Sequence, residues 1–281
     1  MRNCWRLSFL VYTKATVIPL RRFPEAIAQI SNGDSIITTE NIPLATSSGG
    51  TSVEDEIFEG CLVDMDGVCS VQFDSSMMNA GSLSIGLGSP FLTQAGRLVL
   101  VPESSVGKLI VNPSDDVADF CSGPVGYLEG ISGDYSLIVG QLGIGSHSMT
   151  RFRNLALSLD INQEFTRLPR DWVDNLIRTI GEIMGIEPVW SEPESMYTIP
   201  ECSGAHVAEQ LPDLTISIRG VMTDDPINLV LYSEDYFDPV DCSITLQPNT
   251  VTRITLGRSL LDNVVTIFDG DEHQLGFCDP V

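Results

Sequence analysis

The chain has 281 residues, with 38 acidic side chains against 15 basic ones and a formal net charge of −23 when the histidines are neutral. That excess of negative charge repels a phosphate backbone and excludes nucleic acid as a partner class. At 43% hydrophobic and 19% charged residues, the composition suits a chain that buries a sizeable core and is neither disordered nor fibrous, arranged as two domains or one large all-β unit.

In chain order, the apolar run Leu7–Thr13 is cut by Lys14, and Arg21–Arg22 follow without a small-residue cleavage pattern, so no secretory signal is expected. The sequence then alternates short apolar runs with Gly, Pro, Asn and Asp, the pattern of a mostly β protein. Expected strands are Ser35–Thr39, Glu56–Val63, Ser82–Leu87, Leu98–Val101, Lys108–Val111, Tyr135–Leu142 and Leu155–Leu159, then Asp213–Ile218, Ile227–Leu231, Ser243–Leu246, Arg253–Leu256 and Val264–Phe268. Ala45–Thr51 reads as a flexible loop. The longest uncharged stretch, Ser75 to Gly96, is rich in Gly and Ser and contains Pro90, so no membrane span is expected.

One helix interrupts this pattern. Trp172, Val173, Leu176, Ile177, Ile180, Ile183 and Met184 share one face, opposite Arg170, Asp174, Asn175, Arg178 and Glu182. Pro169 near its start and Gly185 near its end suit helix boundaries. A shorter helical turn is expected at Ser259–Asn263.

Seven cysteines (Cys4, Cys61, Cys69, Cys121, Cys202, Cys242, Cys278) show no CxxC, and their irregular spacing does not suit a zinc site. An oxidised chain with one odd thiol and a reduced chain fit equally well. Cys61 and Cys69, eight apart, could close a hairpin or be buried thiols. His147, His206 and His273 lack metal-ligand spacing and read as surface histidines. The acidic runs Glu54–Glu56, Asp115–Asp116 and Asp269–Asp271 lack the Asp-x-Asp-x-Asp-Gly pattern of a calcium loop. No Gly-x-Ser-x-Gly elbow occurs, and although Gly86–Leu87–Gly88 contains a GxG, Ser89–Pro90 follows and no helix is expected to open there, so the dinucleotide fingerprint is not met.

The most informative stretch is Leu155–Pro169, LALSLDINQEFTRLP, where a buried-type run delivers Asp160 to a polar turn before the helix. It resembles the second catalytic loop of pepsin-like aspartic peptidases: a hydrophobic run, Asp-Thr/Ser-Gly-Thr/Ser, then Phe-Thr-x-Leu-Pro. Asp160, Phe165, Thr166, Leu168 and Pro169 match, whereas Ile161, Asn162 and Gln163 depart from it. The run Leu256–Gly257, Leu260–Val264, Ile267–Asp269 and Leu275–Phe277 is similar to the closing segment of that family. Leu211–Ile216, Tyr236 and Cys242 match its path between these blocks. Upstream, Asn32–Ser35 through Glu40, Ile57–Cys61, Ser82–Gly88, Gly107–Leu109, Asp115–Asp116, Gly126–Tyr127 and Tyr135 resemble its strands after the flap and its bridge between lobes.

The resemblance implies an all-β, pepsin-like fold with a near-complete C-terminal lobe at 134–281, a partial N-terminal lobe and inter-lobe region at 31–133, and an unmatched segment at 1–30. It implies a disulfide between Cys202 and Cys242, endopeptidase chemistry without metal or organic cofactor, a peptide or protein as substrate or ligand, and a family usually secreted or vacuolar. An aspartic peptidase needs two carboxylates about 3 Å apart that share one proton and activate a water. Asp160 is the candidate catalytic residue, yet no Asp-Thr-Gly or Asp-Ser-Gly occurs in the 281 residues. Phe73–Asp74–Ser75–Ser76 is the nearest imitation, but it comes just before the Gly-Leu-Gly turn that should follow the first loop at a distance, and no Trp comes directly after it. The glycine that lets backbone amides approach the carboxylate is replaced by Asn162, and a locking hydroxyl by Gln163.

Three expectations follow. The chain reads as a catalytically deficient homologue or a piece of a longer product whose other lobe carries Asp-Thr-Gly, the missing leader favouring the piece. The alternative is a non-catalytic protein that binds a peptide or protein in the cleft, as inhibitors or receptors on this fold do. A homodimer pairing two copies of Asp160 across a two-fold axis is a further route to the second acid, and an incomplete lobe with open sheet edges invites self-association.

Overall fold

A computed structural model of the chain describes residues 16–21, 27–31, 39–45, 59–63, 69–74, 78–79, 82–102, 106–111, 113, 117–130, 135–192, 195–200, 202, 204–219 and 226–281. The loop expected at 46–51, the strand residues expected at 35–38 and 56–58, and the acidic runs at 54–56 and 115–116 lie outside the described residues. Within them the protein is mostly β. The first half holds β1 (Thr16–Arg21), β2 (Ile27–Ser31), β3 (Thr39–Ala45), β4 (Glu59–Val63), β5 (Cys69–Asp74), β6 (Met78–Asn79), β7 (Ser82–Ser84), helix α1 (Pro90–Ala95), β8 (Arg97–Val101), β9 (Val106–Val111) and β10 (Gly126–Glu129).

The second half runs through β11 (Tyr135–Ile144), β12 (His147–Leu159), β13 (Arg167–Pro169), α2 (Arg170–Met184), β14 (Val189–Ser191), β15 (Met196–Thr198), α3 (Gly204–Ala208), β16 (Leu214–Arg219) and β17 (Pro226–Leu231). It ends with α4 (Ser233–Tyr236), β18 (Phe237–Asp238), β19 (Ser243–Ile244), β20 (Gln247–Asn249), β21 (Arg253–Leu256), α5 (Arg258–Leu261), β22 (Val265–Asp269) and β23 (Gln274–Cys278).

Three sheets result: a large one with path β10-β23-β22-β8-β9-β1-β2-β3-β7-β6 and β4–β5 attached at β2, a seven-stranded one ordered β17-β16-β11-β12-β21-β13-β20, and a small β14-β15-β19-β18 sheet. The last two strands of the chain leave the seven-stranded sheet and return to the first one, β22 pairing with β8 and β23 with β10. The strands β1 and β2, within the segment unmatched from sequence, belong to the same large sheet.

Strands β8, β9 and β22 are buried on both faces. Leu98, Leu109, Val111 and Phe268 point into the main core, while Val99, Ile110, Val265 and Ile267 form a second cluster with Cys121 and Cys278. The period of two along each strand sends alternate side chains to opposite faces, so one strand serves both clusters. Cys121 and Cys278 are joined by a disulfide across 157 residues, which ties the final strand to the segment before β10. The expected Cys202–Cys242 disulfide is present, joining α3's approach to the turn before β19. At the ends of two interior strands of the first sheet, Arg97 donates to Asp269 at 2.6 and 2.9 Å from facing positions of β8 and β22.

Helix α2 forms where the 3.6-residue period predicts. Val173, Leu176, Ile177 and Ile180 are buried, each worth about 1.5–3 kcal/mol of transfer free energy. Its C-terminal Gly185 sits at φ 68°, the left-handed cap that glycine takes without steric cost. Burial fades in the last turn, where Ile183 is 48% exposed although the period puts it on the apolar face. No helix among the described residues is long and apolar enough to cross a membrane.

Candidate functional site

Asp160 stands where two sequence blocks some ninety residues apart meet. Strands β12 and β21 run parallel, Leu157 beside Ile254 and Leu159 beside Leu256. The chain leaves β12 at Asp160, crosses the end of β21 and returns on its far side as β13, where Arg167 pairs with Thr255. β21 is therefore enclosed by two strands of one continuous segment, and the 160–166 loop arches over its exit at Gly257.

That crossing is tight because residue 257 is glycine. A Cβ there would lie 2.5 Å from the Phe165 carbonyl oxygen and 2.9 Å from that of Gln163, both backbone atoms that cannot rotate away. Hydrogen bonds stitch the two segments together. The Asp160 amide donates to Leu256 O (2.9 Å), the Arg258 amide to Gln163 O (2.8 Å) and the Ser259 amide to Glu164 O (2.9 Å). Thr166 is fully buried at the centre: its Oγ1 accepts from the Gly257 amide (3.2 Å) and the Ser259 hydroxyl (3.1 Å), and its amide donates to Ser259 Oγ (3.1 Å). Most buried hydroxyls are paired in this way.

The loop itself is anchored by Ile161, 5% exposed, while Asn162 and Glu164 face solvent. The half-buried Asp160 carboxylate accepts the Asn162 amide at 3.1 Å, an Asx turn within the loop. What such a carboxylate can do is accept hydrogen bonds from a water, an amide or a hydroxyl. Shared-proton hydrolysis needs a second carboxylate beside it.

No family model matches the chain, and no curated protein does.

The other residues singled out from sequence stand on other elements. Asp74 ends β5 and pairs with Glu59 of β4, inside a hairpin of the first sheet. In that hairpin Cys69 faces Val63 and Cys61 faces Gln72, so the two cysteines occupy different rungs. His147 is exposed at the start of β12, His206 is exposed on α3 with Gln210 2.8 Å away, and His273 is half-buried in the turn before β23. Among the described residues, no three His, Cys, Asp or Glu side chains converge as metal ligands would.

Along the sequence Thr166 and Gly257 fall in stretches that resemble the family and Ser259 only in the expected helical turn, with no joint role legible for the three. Their junction depends on the register of β12 against β21, which no local pattern encodes. The adjacent Gly and hydroxyl residues immediately after an apolar strand were the available signal.

Proposed function

We propose that this chain is a catalytically deficient homologue of the pepsin-like aspartic peptidases, carrying one of that family's two aspartate loops and taking a peptide or protein as its ligand. The observation that carries the reading is the crossing at Gly257. The stretch 155–169 and the start of the closing segment at Leu256–Gly257, both of which resemble the family, meet in one interlocked unit whose tip is Asp160. A chance resemblance of separate segments has no reason to assemble them with the aspartate at the tip. The Cys202–Cys242 disulfide, expected on the same resemblance, supports it independently.

Deficiency follows from chemistry. The mechanism requires a second ionisable carboxylate held about 3 Å away so that one proton is shared, and the 281 residues contain no Asp-Thr-Gly or Asp-Ser-Gly loop to supply it. Asn162, where the family has glycine, still donates its backbone amide to Asp160 but adds an exposed side chain at that position.

The test is digestion of an acid-denatured protein substrate at pH 3 to 5 by the purified chain and by Asp160→Asn. The expected result is no cleavage by either. Cleavage that disappears in Asp160→Asn overturns the deficiency and makes the chain an aspartic peptidase. Cleavage that survives the substitution removes Asp160 from the reaction and overturns the assignment of its loop.

A further inference from the structure

The geometry points to a docking groove between α2, the segment 186–188 that follows it and Tyr197 of β15 that takes a peptide segment combining apolar residues with lysine or arginine. The groove has a volume of about 460 Å³, within the range of sites that seat side chains of a ligand. Its floor is apolar: Ile177 is 4% exposed, and Ile186, Pro188 and the Tyr197 ring lie beside it. The floor is shaped by Gly181, where a Cβ would come 2.7 Å from the Ile186 carbonyl oxygen, so the chain leaving α2 folds back directly against the helix.

The rim is acidic. Asp174 and Glu182 project from one side of α2, eight residues apart, and Glu187 rises from the segment behind it. Their roles differ. The Asp174 carboxylate is engaged, accepting the Tyr197 hydroxyl at 2.7 Å with Arg170 at 3.9 Å. Burial, and after it the hydrogen bond to Asp174, pushes the Tyr197 phenol up to about 12, so it remains a donor at neutral pH. The one basic side chain of the groove, Arg178, is turned to Asn175 Oδ1 at 2.5 Å. Glu182 and Glu187 are exposed, and they supply the charge that an incoming cation meets.

Two exposed carboxylates beside an apolar floor match the build of lysine and arginine, whose aliphatic stems lie on apolar surface while the charged head stays in water. The protein's net charge of −23 attracts such a segment over a longer range and repels an acidic one. The groove lies on the helix that follows the Asp160 loop, yet the inference uses no residue of that loop and stands whether or not Asp160 acts.

The test is fluorescence anisotropy with labelled Leu-Lys-Leu-Lys-Leu at pH 7 and 0.15 M salt, against the intact chain. Glu182→Gln combined with Glu187→Gln is expected to weaken binding about tenfold, the scale of two exposed ion pairs, with an unchanged melting temperature. Glu129→Gln combined with Glu209→Gln, exposed acids elsewhere, is expected to leave binding within about twofold. Ser-Lys-Ser-Lys-Ser and spermidine, which carry cations without the apolar residues, are expected to compete poorly. Equal loss in the two double variants reduces the effect to overall charge and overturns the proposal. So do undiminished binding after Glu182 and Glu187 are neutralised, competition by spermidine or the serine peptide as strong as by the leucine peptide, and no binding at all.

Discussion

Gly257 is the residue on which the Asp160 loop depends most directly, because the contact that excludes a side chain is with main-chain atoms. Gly257→Ala places its methyl 2.5 Å from the Phe165 carbonyl and must shift one of the crossing segments, a cost of about 3 kcal/mol by comparison with overpacked cores. Ser259→Ala removes the hydroxyl that both receives the Thr166 amide and donates to Thr166 Oγ1, costing about 1 to 2 kcal/mol for unsatisfied buried groups. Urea unfolding of the two variants is expected to rank Gly257→Ala as the more destabilised. A result in which the alanine at 257 is neutral would show that the crossing is looser than the distances imply.

Elements differ in how far they could be read in advance, and the disulfides show why. The helix α2 was legible because fifteen residues repeat one pattern and carry both boundary signals. The six-residue helix α1 was missed although Ser89 caps it, Pro90 opens it and Gly96 follows it, since so short a run shows no period. β1 was missed because Pro19 interrupts TVIPLR, and proline demotes a candidate strand. Position 202 with 242 followed from resemblance, whereas 121 with 278 had no signal along the chain: only the return of β23 to β10 brings those cysteines together. The closed loops span 157 and 40 residues, for which chain entropy gives upper values of about 5 and about 4 kcal/mol. Cys121→Ala with Cys278→Ala is therefore expected to lower the denaturation midpoint more than Cys202→Ala with Cys242→Ala, and to expose β23 first in hydrogen exchange. Equal losses would mean that packing around the final strand, in the cluster of Val99, Ile110, Val265 and Ile267, holds it without the bond.

For the molecule as a whole, charge governs the response to pH and salt. A net charge of −23 in a chain of 281 residues repels itself in the compact state, and added salt screens the part carried on the surface. Asp235 acts in the same direction. Burial holds its carboxyl above the ordinary value of 3.8, against the lowering effect of hydrogen bonds from Asn263 and the Tyr232 amide. The native state therefore binds this proton more tightly than the unfolded chain does. Its stabilisation is complete below 3.8 and is lost as the pH rises through the raised native value. The contribution of Asp235 to the urea midpoint is thus expected to decline as the pH rises above 3.8, and 0.5 M sodium chloride to raise the midpoint at pH 7, where the surface carboxylates are ionised. Asp235→Asn, whose amide oxygen can still accept both hydrogen bonds, is expected to flatten the pH dependence without abolishing the salt effect. A midpoint at pH 7 that ignores salt would place the acidic side chains too far apart to oppose folding, and the whole slope would then have to come from buried carboxyls such as Asp235.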